Sequence, residues 1–330
     1  MSGNGGGIGT GLGSLAGSGR TVTTIAEVRA AADAVRAAGG RVGFFGTSGA
    51  LHEGHLTVIR RMAAECDLSI MPLFLAPVPG VTSDAVPAYD RDFDADAALA
   101  FDAGVNLVFR PAVAEMYPAL PVRTAVVPAD ELAAPWEGAE DPSFLRMAAT
   151  ALAKYYNIVG PCRAYTGEKD WVPLTVLRRM VVDLSIRAEI VACPVVRLAD
   201  GLCASSRNSR LSAADRAAAP TLYAALTAAV AAVEAGERDA EAIRSLLRRR
   251  ISAVAPVDYA EVVDATTLAR VDPLAGELRL LVSADFTGTH LFDNVGLTVR
   301  DADADADARV TVPAVGTTAA APATDRRTSG

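Results

Sequence analysis

The sequence predicts an α/β protein: a doubly wound parallel sheet followed by a smaller α+β unit. Three observations predict it. Residues 42–45 and 68–75 are short, continuous apolar runs, the pattern of strands buried on both faces. Runs of this kind alternate with helix-period segments from about 42 to 192. Beyond about 197 the alternation stops, and two helical stretches precede three strand-like ones.

The elements follow in order. Residues 1–20 are Gly/Ser-rich with almost no core-forming side chains and are expected to be disordered. Ile25, Val28, Ala32 and Val35 share one face of a helix over 24–38, stopped by Gly39-Gly40. Residues 42–45 form the first buried strand and 56–66 a helix after a Gly-rich turn. A strand at 68–75 leads into a Pro/Gly-rich loop, 76–88. A helix over 90–103, a strand over 105–109 and a short strand over 124–127 come next. Helices at 144–156 and 174–184 flank the turn Thr166-Gly-Glu-Lys-Asp170, and 188–192 is a strand. In the smaller unit 213–235 is helical with a break at Pro220, 240–249 is helical, and 257–263, 277–284 and 290–297 are strands. The expected division is 21–196 and 197–300, with a disordered tail over 301–330 that opens DADADAD.

Composition narrows the function. With 330 residues, 51% hydrophobic and 21% charged, the chain can bury a large core. The net charge of −8 and the lack of a basic patch argue against a nucleic-acid partner. Cys66, Cys162, Cys193 and Cys203 form no C-x-x-C pair and are expected as free thiols in a reducing cytoplasm. No apolar run is read as long enough to span a membrane.

Two of the three histidines fall in Gly43-Phe-Phe-Gly-Thr-Ser-Gly-Ala-Leu-His52-Glu-Gly-His55-Leu. A strand running through a Gly-rich turn into a helix presents backbone N–H groups and a positive dipole end to an anion. Two imidazoles there add donors for phosphate oxygens. The second Gly-containing turn, 166–170, also lies where the carboxyl ends of parallel strands place ligands. Taken alone, Lys169-Asp170 also reads as a solvated turn, and Ser205-Ser-Arg-Asn208 as a helix cap.

The segments GALHEGHL (49–56), AGVNLVFRPAVAEMYP (103–118), NIVGP (157–161), GEKD (167–170), IRAEIVACPVVRLADGL (186–202), SSRN (205–208) and FDN (292–294), in this order, resemble the pantothenate synthetase (pantoate–β-alanine ligase) family. That family lies within the H-x-G-H nucleotidyltransferases, and the likeness runs over about 22–300. The resemblance implies a Rossmann-like ATP-binding domain and a small C-terminal lid domain. It implies ATP and Mg²⁺, a small-molecule carboxylic acid and an amine as substrates, and a homodimer. The acid's carboxylate would attack the α-phosphorus of ATP, pyrophosphate would leave, and the amine would displace AMP from the acyl-adenylate. His52 and His55 would contact the β- and γ-phosphates, and Lys169 would bridge phosphate oxygens as charge develops. Ser205, Ser206 and Arg207 would close over the triphosphate; Thr47, Gly49 and Gly54 belong to the same nucleotide-binding turn. Gly167 and Asp170 would bind the ribose and the Val196 backbone the adenine, while Asp96 matches an acid associated with Mg²⁺ but lacks its acidic neighbour, being preceded by Ala95.

The chain departs from the family where the acid binds. Family members have Phe-Val-Asn-Pro-x-Gln-Phe where this chain has Phe74-Leu-Ala-Pro-Val-Pro79-Gly80, and Gln-Gln where it has Val172-Pro173. The two glutamines replaced by Pro79 and Pro173 hold the hydroxyl and carboxylate of pantoate in the family, and proline supplies no side-chain donor. The expectation drawn from this is a ligase for a less polar acid, in specialised metabolism, with Val78, Pro79, Trp171, Val172 and Pro173 as an apolar wall. β-Alanine, another amino acid or a hydrazine-like nucleophile would serve as the amine. A genuine pantothenate synthetase, a non-catalytic nucleotide-binding scaffold and a bare adenylyltransferase are the competing readings.

Overall fold

The computed structural model describes residues 19–76, 92–136, 139, 142–300 and 316–317. Its larger sheet has six parallel strands: β1 (Arg20–Val22), β2 (Val42–Phe45), β3 (Leu68–Pro72), β4 (Leu107–Phe109), β5 (Cys162–Gly167) and β6 (Ala188–Cys193). Their order is β1-β4-β3-β2-β5-β6. The chain therefore builds outward from β2 through β3 to β4, returns to the other side of β2 as β5, and continues to β6. That reversal puts the topological switch point between β2 and β5, where such sheets bind ligands.

Helices cover both faces, as continuous apolar strands require. On one face α1 (Ile25–Ala37), α6 (Pro142–Val159) and α7 (Trp171–Asp183) pack around Phe44, Leu107, Phe109 and Ala164. On the other, α2 (Glu53–Glu65) and α3 (Phe93–Asp102) pack around Phe45, Met71, Val108 and Tyr165. The start of α1 is set by a capping box, Thr24 with Glu27. Two short helical turns, α4 (Val113–Met116) and α5 (Asp130–Ala133), lie along the connection to α6.

After β7 (Val196–Arg197) and a 3₁₀ turn (Ser206–Arg210) come α8 (Ala213–Ala218), α9 (Thr221–Glu234) and α10 (Ala240–Ile251). They pack on a three-stranded antiparallel sheet of β8 (Val257–Asp264), β9 (Gly276–Phe286) and β10 (Thr289–Val299), ordered β10-β9-β8. Leu222, Leu226, Val230 and Leu280 belong to this second core. Val263, Leu268 and Leu281 instead join the core of the larger sheet, so the two units share apolar contacts.

Several expectations change. Arg20 is not part of a disordered segment but opens β1, the sheet edge, paired with Leu107. Residues 124–127 form no strand; the Val126 N–H is satisfied by Thr150 Oγ1 of α6 at 3.0 Å. β3 ends at Pro72, and a strand not foreseen, β5, fills 162–167. In the tail, β11 (Gly316–Thr317) pairs in parallel with β7. By length and composition alone Ala213–Glu234 would cross a membrane, contrary to the reading of the sequence. Here it is interrupted at Pro220 and buries Leu222, Ala225, Leu226, Ala229 and Val233 against the small sheet, as a core helix does.

Candidate active site

α2 begins three residues earlier than its apolar pattern suggests because His52 caps it. Nδ1 of His52 accepts the Gly54 N–H at 3.1 Å. A backbone N–H can only donate, so the His52 proton resides on Nε2. His55 lies one turn on, with its ring stacked on His52 at 3.9 Å between centroids and Phe45 5.7 Å away. Burial, then the neighbouring His52, depresses the pKa of His55 to about 3. Burial, then Lys169, lowers that of His52. Both imidazoles are thus neutral donors at pH 7, and positive charge must come from elsewhere. Nδ1 of His55 is buried with no protein partner among the described residues, as expected of a group that meets a bound phosphate. Gly54 is required by crowding: a Cβ would lie 2.9 Å from His52 Cε1 and 3.5 Å from Ala204 Cβ.

The turn before His52 is held by a carboxylate. Oδ2 and Oδ1 of Asp96, buried on α3, accept the N–H groups of Ala50 and Leu51, each at 2.8 Å. Ala50 has φ 54°, a left-handed conformation costly for a non-glycine residue, and Gly49 has φ 83°. Thr47 Oγ1 accepts the Gly49 N–H at 3.2 Å and closes the turn. Asp96, expected beside Mg²⁺, is placed here to hold the turn, each of its oxygens accepting one backbone N–H. No group of three His, Cys, Asp or Glu able to hold a metal occurs among the described residues. Mg²⁺ that accompanies ATP would fit this site with ligands drawn mainly from phosphate and water, which the ion commonly keeps.

Cationic groups arrive from the other side of the switch point. Gly167 ends β5 facing open space, for a Cβ there would meet nothing within 4 Å. Lys169 Nζ sits 3.2 Å from Asp170 Oδ1 and 3.7 Å from the centre of the Phe292 ring. Burial works against its charge, but Asp170 and Cys203 outweigh burial and leave its pKa raised. Arg207 Cζ lies 4.5 Å from the same ring centre, and Nη1 donates to the His290 carbonyl at 2.8 Å. Ser205 caps the 3₁₀ turn by accepting the Arg207 N–H, and Ser206 is exposed on that turn. His52, His55, Lys169, Ser205 and Arg207 thus converge from three separate segments.

Other expected site residues are placed differently. Trp171 and Val172 do not form a pocket wall. The Trp171 indole N–H donates to the Ala265 carbonyl at 3.1 Å, Arg279 lies 3.6 Å over its ring, and Val172 is fully buried in the core. Pro173 remains partly exposed in the first turn of α7, where a missing N–H costs nothing. Val78 and Pro79 lie outside the described residues. Of the Val196 backbone, expected at the adenine, the carbonyl accepts the Ala204 N–H, and Val196 pairs with Gly316. A cavity of about 870 Å³ lies away from the histidine turn, lined by Trp136, Tyr259 and Arg270 among others.

Sequence reasoning missed the residues that brace these groups. Asn294 Nδ2 donates to the carbonyls of Glu168 and Lys169 at 3.0 and 2.7 Å. Arg279 reaches Glu168 at 3.1 Å and Asn294 Oδ1 at 2.7 Å. Arg197 and Asp293 form a buried bidentate pair at 2.6 and 2.9 Å. The FDN triplet was the available signal for Phe292, Asp293 and Asn294; nothing in the sequence singled out Arg279.

The pantoate-beta-alanine ligase family model matches residues 20–296. Pantothenate synthetase 1 of Frankia alni is 40% identical over 283 residues, covering 83% of this chain and 97% of that protein. The crystal structure of pantothenate synthetase from Thermus thermophilus superposes with a TM-score of 0.74 at 38% identity, covering 83% of this chain and 98% of that one. The pantoate-beta-alanine ligase of Francisella tularensis, solved with an ATP analogue and β-alanine, has the same fold: TM-score 0.67 at 23% identity, with 84% and 97% covered. With a family match over nearly all of the described sequence and full-length relatives at this identity, the chain belongs to the pantoate-beta-alanine ligase family, ATP-dependent enzymes that release AMP as they form a carbon–nitrogen bond.

Proposed function

We propose that this chain condenses pantoate with β-alanine, through a pantoyl-adenylate, at the switch point between β2 and β5. The observation that carries the reading is the convergence of the neutral His52/His55 pair with Lys169 and Arg207, on a chain whose full-length relatives are named pantothenate synthetases. In the first half-reaction the pantoate carboxylate attacks the α-phosphorus and pyrophosphate departs. Charge then grows on the β- and γ-phosphate oxygens. Lys169 and Arg207 supply the opposing charge, and His52 Nε2–H and the N-terminal amides of α2 supply donors that need no reorganisation. In the second half the amine nitrogen attacks the acyl carbon, AMP leaves with the bonding pair, and the ammonium product loses a proton. Catalysis rests on positioning and electrostatics, with no covalent enzyme intermediate.

A second reading keeps the chemistry and changes the acid. One observation favours it: Pro173, partly exposed at the start of α7, offers no side-chain hydrogen bond where the family carries glutamine. The burial of Trp171 and Val172 weakens it, since neither remodels an open surface. Acid-dependent ATP–pyrophosphate exchange tests both, with His55→Ala and Lys169→Ala as blanks and mass analysis of the amide formed with β-alanine. Exchange with pantoate and formation of pantothenate support the first reading. Exchange with another acid and little with pantoate supports the second. A homodimer formed through the larger sheet unit accompanies the proposal, and sedimentation velocity checks it.

A further inference from the structure

β10 touches both cation-bearing segments with side chains of one face. Phe292 and Asn294 are two apart on the strand, so their side chains point to the same side. Asn294 grips the backbone of Glu168 and Lys169. The Phe292 ring carries the Lys169 ammonium at 3.7 Å and the Arg207 guanidinium at 4.5 Å, both within cation–π reach. These two cations come from segments almost forty residues apart, and among the described residues no carboxylate bridges them. Asp170 pairs with Lys169 and the His290 carbonyl with Arg207. The only side chain described in contact with both is the aromatic ring.

We propose that Phe292 is a positioning residue: its ring holds both Lys169 and Arg207 in place for the triphosphate before nucleotide binds. This deepens the ligase reading and rests on it. Two like charges brought together repel; Asp170 offsets the charge of Lys169 alone, whereas the ring, which both cations contact, offsets the repulsion for both. The nucleotide then meets a preformed pair, and the cost of gathering two long side chains is met during folding rather than binding.

The test replaces Phe292, in the full chain, with phenylalanines bearing one, two and three ring fluorines. Size is nearly constant while the ring face becomes progressively less negative. Two quantities are read: kcat/KM for ATP in acid-dependent exchange, and the Kd of a non-hydrolysable ATP analogue by calorimetry. Both should worsen stepwise with fluorine count, reaching about tenfold at three fluorines, with Tm unchanged. Phe292→Leu should lose about as much, and Phe292→Trp should retain near-native values. A flat fluorine series overturns the proposal, even where Phe292→Leu is impaired, because packing alone would then explain the ring. If no acid supports exchange in the native chain yet analogue affinity follows the fluorine series, the ligase reading fails while the role of the ring stands.

Discussion

Asp96 offers a decisive experiment because its carboxylate has two incompatible interpretations. As an Mg²⁺ ligand it would act on the cation; as placed here it acts on the backbone. Its oxygens accept the Ala50 and Leu51 N–H groups at 2.8 Å each, on a side chain 5% exposed. Hydrogen bonds to a charged partner contribute about 1.5–3 kcal/mol each, so the pair offers about 3–6 kcal/mol to the turn. Against this stands about 1–2 kcal/mol for keeping Ala50 left-handed. Asp96→Ala removes both acceptors, and the turn ahead of His52 should relax. Binding ATP must then restore the left-handed turn without those bonds, at about 1–2 kcal/mol, a loss of roughly 5- to 30-fold in kcat/KM for ATP. Asp96→Asn keeps one acceptor and should fall less, to about a half to a tenth of the native value. The assay is exchange with ATP varied at saturating Mg²⁺, beside an Mg²⁺ titration at fixed ATP. The scaffold role requires the Mg²⁺ midpoint to stay where it is in both variants. A midpoint shifted tenfold or more, with kcat/KM for ATP restored by excess Mg²⁺, would refute it.

Three further outcomes follow from the same geometry. His55 is held neutral by burial, its pKa falling from 6.5 unfolded to about 3 folded. Its contribution to stability is complete above pH 6.5 and is lost as pH falls toward 3, by up to about 1.4 kcal/mol per pH unit; urea unfolding of His55→Asn should show a shallower acid dependence than the native chain. Asp293→Ala strands the buried Arg197 and should cost about 3–5 kcal/mol of stability by denaturant unfolding, with Asp293→Asn milder; a loss under about 1 kcal/mol would contradict the buried pair. Gly54→Ala forces a Cβ to within 2.9 Å of His52 Cε1, so the ring must leave its cap; kcat/KM for ATP should fall at least about tenfold while stability drops by only about 1 kcal/mol, and unchanged kinetics would count against the His52 geometry.

The sequence showed the larger sheet well because its signals are local. Residues 42–45 and 188–193 are apolar runs bounded by turns, and β2 and β6 fall there. β1 escaped notice because Arg20-Thr-Val is too short to show a period and gains its identity only from pairing with β4. β5 was obscured because Cys162–Gly167 mixes Arg163, Tyr165 and Thr166 into a central strand. The polar members lean on Glu65 from α2, which accepts from both Arg163 and the Tyr165 hydroxyl. At the site, His52 and His55 stood out by residue type and spacing, and Lys169 only through the resemblance of its GEKD turn to the family. Their braces were not, since Arg279 and Asn294 act across more than a hundred residues of sequence.

The same distinction bears on which acid the enzyme takes. Read along the chain, Trp171-Val172-Pro173 is one apolar block, with Val172 and Pro173 in place of two glutamines, and suggests a rebuilt wall. A helix separates them by direction. Trp171 turns inward to Ala265 and Arg279, Val172 enters the core, and Pro173 alone keeps a partly exposed side chain. Of the two changes, the one at Val172 therefore repacks the core rather than the ligand's surroundings. Losing the glutamine at 173 removes a hydrogen bond of about 0.5–1.5 kcal/mol net, or up to about 3 kcal/mol when the ligand group is charged, and the loss at Pro79 is of the same kind and adds to it. Such a loss weakens pantoate binding by about two to two hundredfold, which a high substrate concentration can offset without any change of substrate. Pro173→Gln separates the possibilities: a KM for pantoate that falls by such a factor with kcat little changed would mean an enzyme working on pantoate with one contact missing. A variant that gains pantoate exchange from nothing would mean that the native pocket serves another acid.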